Sequence, residues 1–303
     1  MIIVFGSINI DLVTKVAEIP GPGETVLGAD YATSPGGKGA NQALAARRAG
    51  AKVALAGAVG RDGFASKALA LLRADGVDLS ATRECDAPTG AAFIAVDARG
   101  ENAIVVASGA NLHASAAQLE SLAIGPVDIL LLQRETPMAE AEAAALYAKS
   151  KGARVGLNLA PAGAASERLL RALNFICVNE HEARTLGSLL GVEAGKAEDI
   201  CRAVSAKLNI AAISTLGAAG AVGFDKGERF ALAAPSVRVV DTTGAGDTFV
   251  GAFAAALDRG LAFEAAMRDG LAAGSLACTK AGAQPSMPRA GEIAALAAAT
   301  WLV

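Results

Sequence analysis

Short apolar runs recur along the chain and alternate with stretches whose apolar positions fall three or four residues apart. The runs Ile2–Phe5, Val53–Gly57, Ile129–Leu132, Arg154–Leu157, Phe175–Val178 and Ala211–Ser214 predict buried strands. Asn41–Ala49, Phe64–Ala74, Met138–Lys149 and Ala197–Leu208 predict the helices between them. Late in the chain, Val237, Val239 and Val240 predict one more buried strand. A glycine turn follows, then a helix in which Phe249, Phe253 and Leu257 recur and Gly260 gives the stop. This alternation predicts an α/β fold with a mostly parallel sheet and helices on both faces. Ligands of such sheets sit beyond the carboxyl ends of the strands. Glu135, Asn158, Asn179 with Glu180, Thr215 and the Asp241–Asp247 loop are the polar residues expected at that edge.

Two regions break the alternation. Leu12–Val16 and Thr25–Ser34, around Ile-Pro-Gly-Pro-Gly, read as extended, and Thr89–Asp97 with Asn102–Ser108 reads as a β-hairpin. They predict a small sheet outside the main one. It could serve as a lid over the ligand edge, as a dimer surface, or as both.

Composition narrows the class. With 303 residues the chain makes one large domain or two small ones, and 53% hydrophobic residues supply a sizeable core. A net charge of −3 without a basic run argues against nucleic-acid binding. The opening apolar run has no basic residues before it and breaks at Gly6-Ser7, and Ile293–Val303 is too short to span a bilayer, so neither a signal peptide nor a membrane span is expected. Cys85, Cys177, Cys201 and Cys278 lack metal-ligand spacing, and with two histidines, His113 and His181, a His-based zinc site or a Ser-His-Asp triad is not expected. A cytoplasmic enzyme fits this profile.

The chemistry concentrates in two glycine loops. In Asp241–Asp247 the small residues Gly244, Ala245 and Gly246 let another group approach the backbone at a helix start, where unpaired N–H groups and the helix dipole favour an anion. Asp247 lies in that first turn. It either caps the helix or takes a proton from a nucleophile beside the anion. Ser34–Ala43, SPGGKGANQA, is not a P-loop: Ala32 stands where Walker A needs glycine, and Gly39 where it needs Ser or Thr. GAGDTF is not the dinucleotide fingerprint, because Phe249 replaces its last glycine. The first loop still sets flexible backbone beside Lys38 and Asn41, donors that suit a polyhydroxylated ligand.

GSINID (Gly6–Asp11), PGGKGANQA (Pro35–Ala43), RGENAIVVASGAN (Arg99–Asn111), LLQRETP (Leu131–Pro137), VNEHE (Val178–Glu182), STLGAAG (Ser214–Gly220), DTTGAGDTFVGA (Asp241–Ala252) and KAGAQPSMP (Lys280–Pro288) occur in that order. Together they resemble the ribokinase branch of the PfkB carbohydrate kinase family, from about Ile3 to Pro288. The resemblance implies a three-layer α/β/α core over residues 1–10, 36–87 and 109–303. It also implies a β-sheet lid from residues 11–35 and 88–108, through which family members commonly dimerise.

The same resemblance implies roles. Asp247 matches the catalytic base, which takes the proton of a sugar 5-hydroxyl. Gly244, Ala245 and Gly246, with the N–H of Asp247, match the anion hole for the transferring phosphoryl group. Asn9, Asp11, Gly37, Lys38, Asn41 and Glu135 match sugar contacts. Asn179 and Glu182 match a motif that holds Mg²⁺ and phosphates, largely through water. Thr215, Gly217 and Gly220, with Asn179 and Gly246, match the ATP side. Asp241, Thr243, Ala277, Lys280, Gly282 and Ser286 match the oxygen ligands of a K⁺ ion, although Asp241 could instead only tie its loop to nearby amides. The sequence departs from the family pattern at Arg134, where an apolar residue is usual, and at Leu159 and Val178, where proline is common. The implied reaction is ATP-dependent phosphorylation of D-ribose. The alternatives are a kinase for a nucleoside, deoxyribose or another furanose, and a sugar-sensing protein without catalysis.

Overall fold

The computed structural model describes residues 1–192 and 195–301; the end of the Ile293–Val303 run lies outside the described residues. In chain order its strands are β1 (Ile2–Phe5), β2 (Asn9–Lys15), β3 (Tyr31–Gly36), β4 (Val53–Gly60), β5 (Thr82–Cys85), β6 (Gly90–Val96) and β7 (Asn102–Ala107). They continue with β8 (Ile129–Leu132), β9 (Arg154–Asn158), β10 (Phe175–Asn179), β11 (Ala211–Thr215), β12 (Ala221–Asp225) and β13 (Glu228–Leu232). The helices are α1 (Lys38–Arg48), α2 (Gly63–Ala68), α3 (Ala70–Ala74), α4 (Met138–Ser150) and α5 (Glu167–Ala172). After them come α6 (Glu180–Leu189), α7 (Ala197–Leu208), α8 (Ala245–Asp258), α9 (Phe263–Ala277) and α10 (Ala290–Trp301).

Nine strands form the main sheet in the order β13-β12-β11-β10-β9-β8-β1-β4-β5. Neighbours from β11 to β5 pair in parallel; β12 and β13 are antiparallel. Alternation along the strands divides the core into two layers. Ile2, Val4, Ile129 and Leu131 face the layer built with α1, α8 and α9. Ile3, Phe5, Leu130 and Leu132 face the layer built with α4, α5, α6 and α7. Small residues let the helices approach closely. A Cβ on Gly251 of α8 would lie 2.6 Å from Ala45 Cβ on α1, so glycine lets the two helices pack closely at mid-length.

The second sheet has the order β3-β2-β6-β7 and stands apart from the first. Its β2–β6 pair is parallel, and β6–β7 is the expected hairpin. Phe93, Ile104, Val105 and Val106 leave apolar surface exposed on it.

Three details differ from the sequence reading. Val237–Val240 is not a buried strand: the segment pairs with no sheet, and Val239 and Val240 are 60% and 59% exposed. β-branched residues favour extended backbone whether or not a sheet receives them; here Val237 and Val239 line a cavity instead. The helix expected over Phe64–Ala74 breaks at Leu69. The helix expected from Asn41 begins at Lys38, because Gly37 caps it in the left-handed region with φ of 89°.

Candidate active site

The carboxyl ends of β1, β8, β9, β10 and β11 converge on the start of α8. Gly244 caps that helix with φ of 75°. A Cβ there would also lie 2.9 Å from Ala283 Cβ, so both conformation and space require glycine. Ala245 N–H donates to Thr242 O at 3.2 Å. Among the described residues none accepts from the N–H groups of Gly246 and Asp247, and open space surrounds Gly246. Two free donors at a helix start make an anion site. Ala245, grouped with them in the sequence reading, has its N–H turned into the loop.

Asp247 is 8% exposed. Its Oδ2 accepts from Asn41 Nδ2 at 2.9 Å and its Oδ1 from Gln42 Nε2 at 3.0 Å. Lys38 faces the same space. Burial works against its charge, but Asp247, Glu135, Glu182 and Asp11 together push its pKa up. Asp11, on β2 of the small sheet, is pushed up to about 6 by burial, then by Glu135 and Asp247, with Lys38 opposing. Glu182 is raised by burial, against a hydrogen bond from Asn179 N–H and the charge of Lys38. One ammonium among four carboxylates leaves the cleft rich in acceptors, the surface that hydroxyl donors and cations require.

The residues matched to a sugar come together here. Glu135 Oε2 accepts from Ser7 Oγ at 2.6 Å and from Lys38 N–H at 3.1 Å, so this carboxylate also clamps the glycine loop. Asn9 Oδ1 accepts from Asn111 Nδ2 at 2.6 Å, which leaves the Asn9 NH₂ as the outward donor. Gly37 admits β2: a Cβ would lie 2.7 Å from Asn9 N.

Asn179 and Glu182 form a reciprocal cap on α6. Asn179 Oδ1 accepts from Glu182 N–H at 2.8 Å, and Glu182 Oε2 from Asn179 N–H at 2.9 Å. These commitments suit a hydrated ion rather than one held directly. Asp241 Oδ1 accepts from Thr243 N–H and Oγ1 at 2.9 and 2.6 Å, and its Oδ2 from Gly282 N–H at 2.8 Å. Burial opposes the charge of Asp241, but these donors hold its pKa below the usual carboxylate range. The carboxylate thus ties the α8 loop to the Lys280–Ser286 loop. Ser286 Oγ donates inward to Ala283 O at 2.8 Å, Ala277 ends α9 in the core, and Lys280 Nζ lies 3.6 Å from Glu292. Carboxylate, hydroxyl and carbonyl oxygens on these two loops are the hard donor type that an alkali cation takes, and the bonds from Thr243 and Gly282 to Asp241 hold the loops together.

Two cavities meet at this helix start. The smaller, about 150 Å³, reaches Lys38, Asn158, Asn179, Glu182 and Asp247. The larger, about 420 Å³, runs past Gly217, Gly220, Val237, Val239, Phe249 and Cys278. Thr215, Thr242, Ala245 and Gly246 belong to both walls. Gly217 and Gly220 have φ of 57° and 105°, so the turn after β11 depends on them.

Arg134 lines neither cavity. Its guanidinium donates to Pro161 O at 2.7 Å and Ala164 O at 3.0 Å, and so fastens the loop after β9. Leu159 and Val178, the other departures, are core residues. The sequence reading missed Gln42, Gln133, Ser7 and the valine wall. Asn41 and Gln42 are adjacent amides directly before the apolar run Ala43–Ala46 of the same helix, which was the signal for Gln42. A wall made by an unpaired extended segment leaves none.

The match to known proteins follows the same outline. The model of the pfkB family carbohydrate kinases matches residues 1–290, and the chain belongs to that family. A ribokinase of Haemophilus influenzae is 41% identical over 291 residues, covering 94% of each chain. Ribokinase from Thermotoga maritima superposes with a TM-score of 0.90 at 33% identity, covering 97% of this chain and 98% of that one. The Arabidopsis thaliana ribokinase complexed with ribose and ATP gives 0.86 at 32% identity over 98% of both chains.

Proposed function

We propose that this chain transfers the γ-phosphoryl group of ATP to the 5-hydroxyl of D-ribose, giving D-ribose 5-phosphate and ADP. The observation that carries the reading is the start of α8: a buried carboxylate, Asp247, beside two unpaired N–H groups, within a cleft shared with Asp11, Lys38, Asn41 and Glu135. Relatives that are ribokinases, one of them complexed with ribose and ATP, support the acceptor.

Asp11, Asn9 and the free oxygen of Glu135 orient the sugar, and Asp247 takes the proton of its 5-hydroxyl as that oxygen attacks phosphorus. The N–H groups of Gly246 and Asp247, joined by Gly244 and Ala245 as the loop adjusts, receive the developing phosphoryl charge. Thr215, Gly217 and Gly220 cradle the nucleotide in the larger cavity. Asn179 and Glu182 would hold a hydrated Mg²⁺, which would neutralise phosphate charge. Asp241, Thr243 and Ser286, with carbonyls of Ala277, Lys280 and Gly282, would hold K⁺, which would add positive charge beside the anion hole.

The small sheet, residues 11–35 and 88–108, acts as the lid, since it brings Asp11 to a cleft otherwise built on the main sheet. Its exposed Phe93, Ile104 and Val105 fit a second copy of the chain, giving a homodimer through the lid. The free cysteines suit the reducing cytoplasm, and among the described residues no helix is long and apolar enough to cross a membrane.

A screen of ribose, 2-deoxyribose, other furanoses and adenosine with ATP, read by ADP release, tests the acceptor. Ribose is expected to give the highest kcat/KM, and a better nucleoside or deoxyribose would reassign the substrate within the family. Replacing K⁺ by a bulky organic cation at equal ionic strength is expected to lower activity, and Asp241→Ala to blunt that response. Equal wild-type activity in both salts would remove K⁺ from the scheme.

A further inference from the structure

Asp247 is held by a cluster of buried amides, and two of its members, Gln42 and Gln133, line neither cavity where a sugar or nucleotide would lie. Gln42 uses its amide completely. One N–H donates to Asp247 Oδ1 at 3.0 Å, the other to Asn158 Oδ1 at 3.1 Å, and its Oε1 accepts from Gln133 Nε2 at 2.7 Å. Asn158 is oriented in turn by its own Nδ2, which donates to Cys177 O at 3.2 Å. Gln42 is 0% and Gln133 1% exposed. Gln133 follows β8, Asn158 ends β9, and a Cβ on Gly6, after β1, would overlap Gln133 Oε1. Three neighbouring strand ends therefore fix one side chain of α1, and that side chain fixes Asp247.

We propose that Gln42 is a positioning residue for the phosphoryl transfer, with Asn158 and Gln133 completing the hydrogen bonds of its amide. The inference rests on Asp247 acting as the base. A carboxylate can turn about its Cβ–Cγ bond, and only one orientation aims a lone pair at an incoming hydroxyl. Asn41 alone grips one oxygen; with Gln42 on the other, both are fixed and the plane of the carboxylate is set. The arrangement also fixes polarity. Were the Gln42 amide reversed, its oxygen would oppose the carboxylate, and Gln133 would offer its Nε2 to an NH₂ group. Asp247 Oδ1 and Asn158 Oδ1, both acceptors toward Gln42, thus exclude the reversed orientation, and Gln133 supplies the donor to its oxygen. Lys38 from α1, Asp11 from β2, Glu135 after β8 and Glu182 from α6 also face Asp247, and none of them exchanges a hydrogen bond with Gln42.

The test compares single-turnover rates and ribose and ATP affinities in mildly alkaline buffer. Gln42→Met, close in volume but without an amide, is expected to slow transfer by about 10–100-fold, the scale of a slightly misplaced reacting group. Both affinities should stay within about threefold, because Gln42 touches neither ligand. Gln42→Glu places an acceptor against an acceptor and is expected to be slower than Gln42→Met. A role in packing alone predicts the reverse order, since Glu keeps the shape of Gln. Gln133→Met should give a smaller loss with the same split between rate and affinity. In an Asp247→Asn background the Gln42→Met effect should shrink to within about threefold, because residues acting through one group are not additive. Equal slowing in the wild-type and Asp247→Asn backgrounds, or no slowing from Gln42→Met, overturns the proposal. A wild-type rate for Asp247→Asn itself overturns the reading beneath it, so the two failures are distinct. Should Gln42→Met not fold, Gln133→Met and Gln42→Glu carry the same comparison.

Discussion

The two cavities that meet at the start of α8 are built by different means. The smaller one is specified by side chains: Lys38 and Glu182 in its wall with the charges of Asp11 and Glu135 near by, and Asp247 gripped by Asn41 and Gln42. The larger one is specified by backbone and shape, with Gly217 and Gly220 in left-handed conformations and a wall of Val237, Val239 and Phe249. Charge and hydrogen-bond direction select a small polar acceptor and run its chemistry. A tunnel of backbone and apolar side chains holds a larger group by contact. On the proposed roles, one substitution should damage chemistry or acceptor choice at one end and leave the other end almost untouched.

The largest expected break is Asp247→Asn. It should lower the turnover number by roughly 10²–10⁴-fold, the scale of general-base catalysis, with ATP affinity and thermal midpoint close to wild type. A folded variant with near-normal turnover would remove Asp247 from its role.

Asp11→Ala should act on acceptor choice. A buried carboxylate serving neighbouring hydroxyls contributes about 1.5–3 kcal/mol per charged hydrogen bond. Ribose should be preferred over 2-deoxyribose by at least about tenfold in kcat/KM in the wild type, where about 1.4 kcal/mol is a factor of ten. Asp11→Ala should erase most of that preference and leave the KM for ATP nearly unchanged; a retained preference would assign the 2-hydroxyl to another group.

Gly220→Ala tests the opposite cavity. The residue has φ of 105°, and a Cβ would overlap Leu232 O. A cost of at least about 1–2 kcal/mol in stability follows from the strained conformation. The KM for ATP should rise several-fold in steady-state kinetics while ribose affinity, measured by calorimetry, stays put. A matching fall in ribose affinity would show that the two ends are not separable.

The smallest effect is a pH response confined to the sugar side. Asp11 is pushed up to about 6, from an ordinary 3.8, chiefly by burial. Hydroxyl donors favour its ionised form, so ribose KM should rise as pH falls through about 6, with ATP KM flat over the same range. The sign for stability is opposite to that of a paired carboxylate. Between the two values the folded state binds the extra proton, so Asp11 weakens the empty protein as pH rises through that window. Asp11→Asn should therefore raise the thermal midpoint of the ligand-free protein at neutral pH, and an unchanged midpoint would contradict the burial argument.

Legibility followed the same division. Strand positions in the main sheet were readable because both faces of β1 and β8 are buried, which leaves nearly continuous apolar runs. Asp247, Lys38 and Asn41 drew attention because charged and amide groups close to glycines are costly to bury unless a ligand or a partner uses them, whereas Glu135 stood out only as a polar residue at a strand end and through the family resemblance. Val237–Val240 was misread because the same β-branched run serves a strand or a cavity wall, and only the absence of a pairing neighbour separates them. Arg134 carried no signal of its partners, since backbone carbonyls of Pro161 and Ala164 can belong to any residue type. The loop proposed for K⁺ is similar: Ala277 and Lys280 would contribute carbonyls, which composition does not record.

Gly39 has a practical meaning for redesign. A Cβ there would lie 2.5 Å from Gly6 C and from Ser7 N, so the first turn of α1 and the loop after β1 touch backbone to backbone. An engineer who wishes to retarget the enzyme to a different sugar can treat Asn9 and Asp11 as replaceable letters. Gly6 and Gly39 are the binding of the book: a library that randomises them would consist mostly of chains in which these two segments no longer meet.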